Sequence, residues 1–173
     1  MPRPSIEQLR NLGDLATVYQ WNLNFITFPT VVASPSAEDL NLRCISTTVP
    51  TKGEDKQELK LRGHTIYQPG QANYGNELTF TFVETVDNKI ATFLANWHEA
   101  CVNTITGVHS LKSEVQCDIL IERLNRQDVA IWGYTIIGCF LGTYTHGDLS
   151  DANDQVKPTL TISFDYFKEA PLG

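Results

Sequence analysis

A mainly β fold, either a sandwich or a partly closed barrel formed as a single domain over residues 1–173, is what the sequence predicts. Three observations lead there. Several runs alternate apolar and polar residues with a period of two. One stretch alone repeats at helical spacing, and Pro, Gly and Asn clusters separate the runs. With 173 residues, 42% of them hydrophobic and 19% charged, the chain can bury a sizeable core and is too apolar for disorder.

The elements follow in order. Ser5 to Leu9 fits a short helix, with Ser5 as N-cap and Gly13 as stop. Residues 19 to 28 alternate, with Tyr19, Trp21, Leu23 and Phe25 on one side and Gln20, Asn22 and Asn24 on the other, until Pro29. Residues 42 to 49 read as a second strand closed by Pro50. A charged ribbon from Lys56 to Tyr67 is expected to turn through Pro69-Gly70 and Gly75-Asn76 and return along Glu77 to Val86. Ile90, Phe93, Leu94, Trp97 and Cys101 then form one stripe of an amphipathic helix, N-capped by Asp87 or Asn88 and ended before Gly107. Val115 to Ile121, Val129 to Leu141 and Thr159 to Phe167 read as further strands, and 147 to 158 as a solvated loop.

Charge and composition exclude several function classes. The formal net charge is −7, whereas a protein that grips nucleic acid through phosphates is expected to be basic. The sign is equally wrong for an anionic membrane surface. No window approaches eighteen consecutive apolar residues, and Met1 to Ser5 lacks the apolar stretch of a signal peptide. The four cysteines form no CxxC pair, and Cys101, Cys117 and Cys139 sit in apolar periodic runs, so a reducing folding compartment is expected.

No motif carries catalysis. His98-Glu99 opens like a zinc-protease helix, but position 102 is Val rather than the second His. No local sequence marks one cysteine as a nucleophile, and His64, His109 and His146 have no ligand spacing. Asp148, Asp151 and Asp154 lack the alternate-residue oxygens, Gly and closing Glu of a calcium loop. Neither an enzyme nor a cofactor is expected. The charged ribbon stands out instead, because its free edges invite another chain. Lys56, Glu58, Leu59, Lys60, Leu61, Arg62 and Tyr67 are its candidate inter-subunit residues.

The order of these elements resembles the tail tube proteins of contractile-tailed, T-even-like bacteriophages, whose fold is shared by the tubes of type VI secretion and other contractile injection systems. The likeness runs through Ile6 to Phe28, Cys44 to Pro50, the hairpin with Gly63 and Gly70, Leu78 to Phe82, Asn88 to Trp97 and Leu160 to Phe167. Loops 29 to 41 and 143 to 158 are longer than that pattern. The resemblance implies hexameric rings stacked into a tube whose subunits merge their strands into one inner β-barrel. The implied partners are a contractile sheath, a tape-measure protein, and baseplate and terminator proteins. Double-stranded DNA passes through without specific binding, and the subunit itself binds no membrane. It also implies assembly in the host cytoplasm and residence in the virion. Roughly 24 strands at about 4.8 Å give a circumference of about 115 Å and a backbone diameter of about 37 Å.

In such a tube, the non-core alternation on three strands supplies the expected lumen residues. These are Glu77, Thr79 and Thr81; Gln116, Asp118 and Glu122; and Thr161, Ser163 and Asp165. They are hydroxyls, an amide and anions, which suits a passing polyanion. Two alternatives stand beside this reading: the tube of a non-phage injection system, and a monomeric β-sandwich binding module with the hairpin as its ligand loop.

Overall fold

The computed structural model describes residues 5–11, 13 and 16–172. Four helices are α1 (Ile6–Arg10), α2 (Ala37–Arg43), α3 (Lys89–Cys101) and α4 (Lys112–Val115). Nine strands are β1 (Trp21–Phe25), β2 (Cys44–Thr47), β3 (Gly53–Leu61), β4 (His64–Asn73), β5 (Glu77–Phe82), β6 (Cys117–Leu124), β7 (Ala130–Thr145), β8 (Thr159–Ser163) and β9 (Tyr166–Pro171). Met1 to Pro4 and the Leu9 side chain, both part of the sequence reading, lie outside the described residues. No helix among the described residues is long and apolar enough to cross a membrane.

Seven strands pair in the order β1-β6-β7-β8-β5-β2, with β9 beside β7, and the path does not close. Strand β7 belongs to two sheets. Its first half pairs with β6 and β9, while Phe140 to Thr145 pair with β8. The change of sheet occurs at Gly138, whose φ of +69° suits glycine and few other residues. The Gly138 N–H donates to Asp118 Oδ1 at 3.0 Å, and a Cβ on Gly138 would collide with Asp165 Oδ2. The bend on β7 has its counterpart opposite. The run Thr159 to Phe167, expected to be one strand, breaks at Phe164-Asp165 into β8 and β9, so that each half follows its own half of β7.

Both inner faces feed one core. Leu23 and Phe25, Leu78, Phe80 and Phe82, Ile119 and Ile121, Ile136, Leu160 and Ile162 alternate inward and cluster. Helix α3 lays its predicted stripe on them: Ile90, Phe93, Leu94 and Trp97 are buried, and Cys101 is half-buried. The Trp97 indole donates to the Val115 carbonyl at 2.8 Å, so its polar edge is satisfied inside the core. The expected N-cap is not what caps this helix. Asn88 sits there in a left-handed conformation without a side-chain cap bond, and the Glu84 carboxylate accepts from Ala91 N at 2.6 Å and Ile90 N at 3.4 Å. An anion at a helix N-terminus also meets the positive end of its dipole. Arg43, at the end of α2, bonds Asp39 at 3.0 Å and lies 3.8 Å from Glu84 and 3.6 Å from Asp87, tying α2 to the start of α3. Those contacts, led by the Asp39 hydrogen bond, raise the Arg43 pKa. Helix α2 stands where the sequence alone suggests a loop and the start of a strand. Ser36 caps it by accepting from Asp39 N at 3.1 Å, and the second strand starts only at Cys44.

The protruding hairpin is present, but its pairing corrects the expectation. Its turn is Arg62-Gly63, with φ of +49° and +84°, the two-residue geometry that matches strand twist. Strand β3 therefore pairs with β4, Leu59 facing Ile66 and Glu58 facing Tyr67. Glu77 to Phe82 belongs to the main sheet between β8 and β2. Pro69 and Gly70 are not the turn. They lie within β4, where the pairing shifts between Glu54 and Lys56 and a Cβ on Gly70 would meet the Asp55 carbonyl at 2.6 Å. A bulge of this kind accommodates both residues.

Two stability outcomes follow. Trp97→Ala removes a fully buried ring and its hydrogen bond, and is expected to cost on the order of 3–5 kcal/mol in denaturant unfolding. Unchanged unfolding would place the α3 stripe outside the core. Gly138→Ala combines left-handed strain with the Asp165 clash, an expected loss on the order of 1–3 kcal/mol. In the same assay, Gly142→Ala, which meets the Thr161 carbonyl at 3.0 Å without positive φ, is expected to lose less.

Candidate functional site

The second sheet, β2-β5-β8 and the distal half of β7, presents a face away from the core that is mostly hydroxyl, with a half-buried Phe140 opposite Ser163. Register places Thr79 opposite Thr161, Thr81 opposite Thr159 and Ser46, Ser163 opposite Glu77, and Thr143 and Thr145 opposite Thr161 and Thr159. Directly paired residues share a face. The hydroxyls also hold each other and the backbone: Thr79 and Thr161 Oγ1 are 3.3 Å apart, and Thr48 Oγ1 accepts from Thr79 N at 3.0 Å. Glu77 is the one charged residue in these four segments.

The expected lumen residues do not share one face. Glu77, Thr79, Thr81, Thr161 and Ser163 lie together on the hydroxyl face. Asp118 and Glu122 alternate with Ile119 and Ile121 on β6, which point into the common core, so they face outward from the other sheet. Gln116 is the residue that ends α4. Asp165 lies between β8 and β9 and is clamped by Lys112 Nζ at 2.5 and 2.6 Å. Sequence alternation marks which residues avoid the core but not which sheet they leave from. Two of the three acids instead brace the Gly138 bend, and Lys112 answers one of them. Outside the expected set, Ser46 and Thr159 lie inside runs that the sequence marks as strands, whereas Thr143 and Thr145 lie beyond the expected strand end at Leu141. A shift in pairing between Leu141 and Thr143 turns Thr143 outward although it has the parity of buried Leu141.

This sheet has two open edges. Among the described residues β2 pairs with β5 alone, and Phe140 to Thr145 pair with β8 alone. The hairpin is open on both sides, since β3 and β4 form a separate two-stranded sheet. Its residues divide by face. Leu59 and Ile66 pair, with Leu61 beside them, while Lys56, Glu58, Lys60 and Tyr67 occupy the other side. There Lys60 Nζ lies 3.0 Å from Glu58 Oε1 and Lys56 Nζ 5.9 Å from the Tyr67 ring. Arg62, expected on the strand, stands in the turn.

Elsewhere the chemistry points away from thiolate reactions. Burial pushes the Cys44 thiol up to about 12. The hydrogen bond with Cys139, together with burial, raises Cys117, and burial raises Cys101. A nucleophilic cysteine needs the opposite shift.

Residues 16–168 match the family described as phage tail tube protein. The chain belongs to that family. It is a tail tube protein, a structural subunit of a virion or phage-tail-like assembly. No curated protein matches it in sequence. Among solved structures it is similar to the sheath/tube terminator of the extracellular contractile injection system PVC, at 14% identity over 92% of this chain and 99% of that one, with a TM-score of 0.67. The PVC sheath–tube complex aligns at 17% identity over 98% and 100%, with a TM-score of 0.66. Hcp1 from Flavobacterium johnsoniae aligns at 8% identity over 87% and 94%, with a TM-score of 0.52. At these identities the likeness is one of fold.

Proposed function

We propose that this tail tube protein forms the inner tube of a contractile phage tail as stacked hexameric rings, with the hydroxyl face as the wall of a channel for double-stranded DNA. The two open edges of the four-stranded sheet carry this reading. Joining β2 of one copy to the distal β7 of the next continues the sheet around a ring and removes both edges. Roughly 24 strands then enclose a backbone diameter of about 37 Å. The hairpin, with Lys56, Glu58, Leu59, Lys60, Leu61, Arg62 and Tyr67, reaches neighbouring copies.

The wall proposed here is dominated by hydroxyls, with Glu77 supplying one anion per copy, so it carries fewer anions than the expected lumen set with Glu77, Asp118, Glu122 and Asp165. Such a wall offers a polyanion no cations to bind. A sheath outside, a tape-measure protein inside during assembly, and terminator and baseplate proteins at the ends complete the proposed particle. It assembles in the host cytoplasm and needs no cofactor. The tube of a non-phage injection system is the second reading, favoured by the near-complete alignment with the PVC sheath–tube complex.

Negative-stain imaging at rising concentration is expected to show stacked rings with a central channel, and a stable monomer at every concentration would refute the reading. In assembled tubes, Glu77→Lys is expected to retain linear duplex DNA in a salt-dependent manner where the wild type does not. Equal retention by both would take Glu77 off the channel wall.

A further inference from the structure

Among the described residues β3 and β4 pair with no other strand, so the direction in which the hairpin leaves the body is set at its root. Both legs of that root land on one place. On the β4 side, Gly75 and Asn76 turn the chain with φ of +67° and +53°. There the Asn76 amide donates from Nδ2 to the carbonyl of Phe164 at 2.8 Å and to that of Asp165 at 3.2 Å. The Asn76 carbonyl in turn accepts from Phe164 N at 3.1 Å. On the β3 side, Lys52 Nζ lies 3.1 Å from Glu169 Oε1 and 4.8 Å from the centre of the Phe167 ring, which Tyr74 meets edge-on at 6.0 Å. Phe164-Asp165 is the break between β8 and β9, and Asp165 N donates to the Ile137 carbonyl at 3.1 Å, next to the Gly138 bend.

We propose that Asn76 is a positioning residue: it pins the root of the hairpin to the β8–β9 break, so that the hairpin's direction and the bend in β7 are set as one unit. The residue type supports this. A left-handed turn position accepts Gly, Asn or Asp. Glycine would make the turn and bring no donor, while aspartate would bring acceptors to two carbonyls that need donors. Asparagine alone of the three makes both the turn and the bonds. The second tether is the weaker one, because Lys52 and Glu169 are exposed and such ion pairs contribute little. The consequence for assembly rests on the tube reading. A hairpin aimed before it meets a neighbouring copy leaves less freedom to be lost on contact.

Spin labels at Thr65→Cys on the hairpin and Asn96→Cys on α3, both exposed positions, in a Cys101→Ser background, report the hairpin's direction in the soluble subunit by electron–electron dipolar distances. One narrow distribution is expected with Asn76 present, and at least a doubling of its width in Asn76→Gly and Asn76→Asp. That width is a readout which lost stability alone would not move. Lys52→Met is expected to widen it less, and keeps the test decisive if an Asn76 variant misfolds. A distribution already broad in the wild type, or equally narrow in every variant, would overturn the positioning role. The concentration at which tubes grow is expected to rise about tenfold in Asn76→Gly, and growth at the wild-type concentration would overturn its part in assembly. If the wild type forms no tubes, the tube reading falls, and the distances still decide whether Asn76 aims the hairpin.

Discussion

Backbone groups along a sheet edge must find partners or stay in water, and the sharing of β7 between two sheets decides which edges this subunit leaves open. From Trp132 to Ile137 the strand is paired on both sides, by β6 and by β9. Past the Gly138 bend, β8 pairs with one side and, among the described residues, no strand pairs with the other. Asp118 and Asp165 hold that bend from two directions, one by accepting the Gly138 N–H and one by packing where a side chain would stand. A straight β7 would keep all strands in one sheet and the second face would be lost. The bend therefore creates both the closed core between the sheets and the four-stranded platform with free margins.

The hairpin follows a different logic. It adds nothing to the core, since every residue from Gly53 to Asn73 is exposed. Ordering it costs conformational entropy that its own cross-strand bonds scarcely offset. Its Arg62-Gly63 turn fixes the register, and the register fixes the separation of faces: apolar Leu59, Leu61 and Ile66 against charged Lys56, Glu58 and Lys60. A one-residue slip would mix the two. Sorting of this quality on an element that buries nothing internally is understandable when the burial takes place in another molecule.

Much of the fold was legible because its signals are local and periodic. The α3 stripe, the alternation of Leu78 to Phe82 and that of Cys117 to Ile121 each declare which side meets the core. The unread parts depend on remote partners. Arg62-Gly63 is a weaker turn signal than Pro69-Gly70, and only the bulge at Asp55 shows why the Pro and Gly sit inside a strand. Glu84 outcompetes Asp87 and Asn88 as the cap of α3 because it reaches over from the end of β5, held near Arg43. Phe164-Asp165 looks like an ordinary continuation of β8, and nothing near it in sequence reveals the Gly138 bend that splits it. The hydroxyl face was half seen. Period two separates inside from outside, but with two sheets around one core there are two outsides.

Why that face is threonine, rather than any other polar residue, follows from two demands that few side chains meet together. Strand β5 and strand β8 need residues that favour extended backbone, which disfavours Asp, Asn and Lys. A proposed channel wall needs a surface that water wets and that neither binds phosphate nor adheres to apolar matter. Valine satisfies the first demand and fails the second. Lysine fails both, its charge adding phosphate affinity. Threonine carries the β-branched carbon that suits the pleat and a hydroxyl to face water. The hydroxyls of Thr79 and Thr161 lie within hydrogen-bonding distance, and that of Thr48 is engaged with the Thr79 backbone, so part of the polarity is already internally satisfied. On the proposed reading, a passing chain would meet a hydrated surface with few strong unsatisfied donors, and the friction of transit would be set by water exchange instead of by contacts that must be broken.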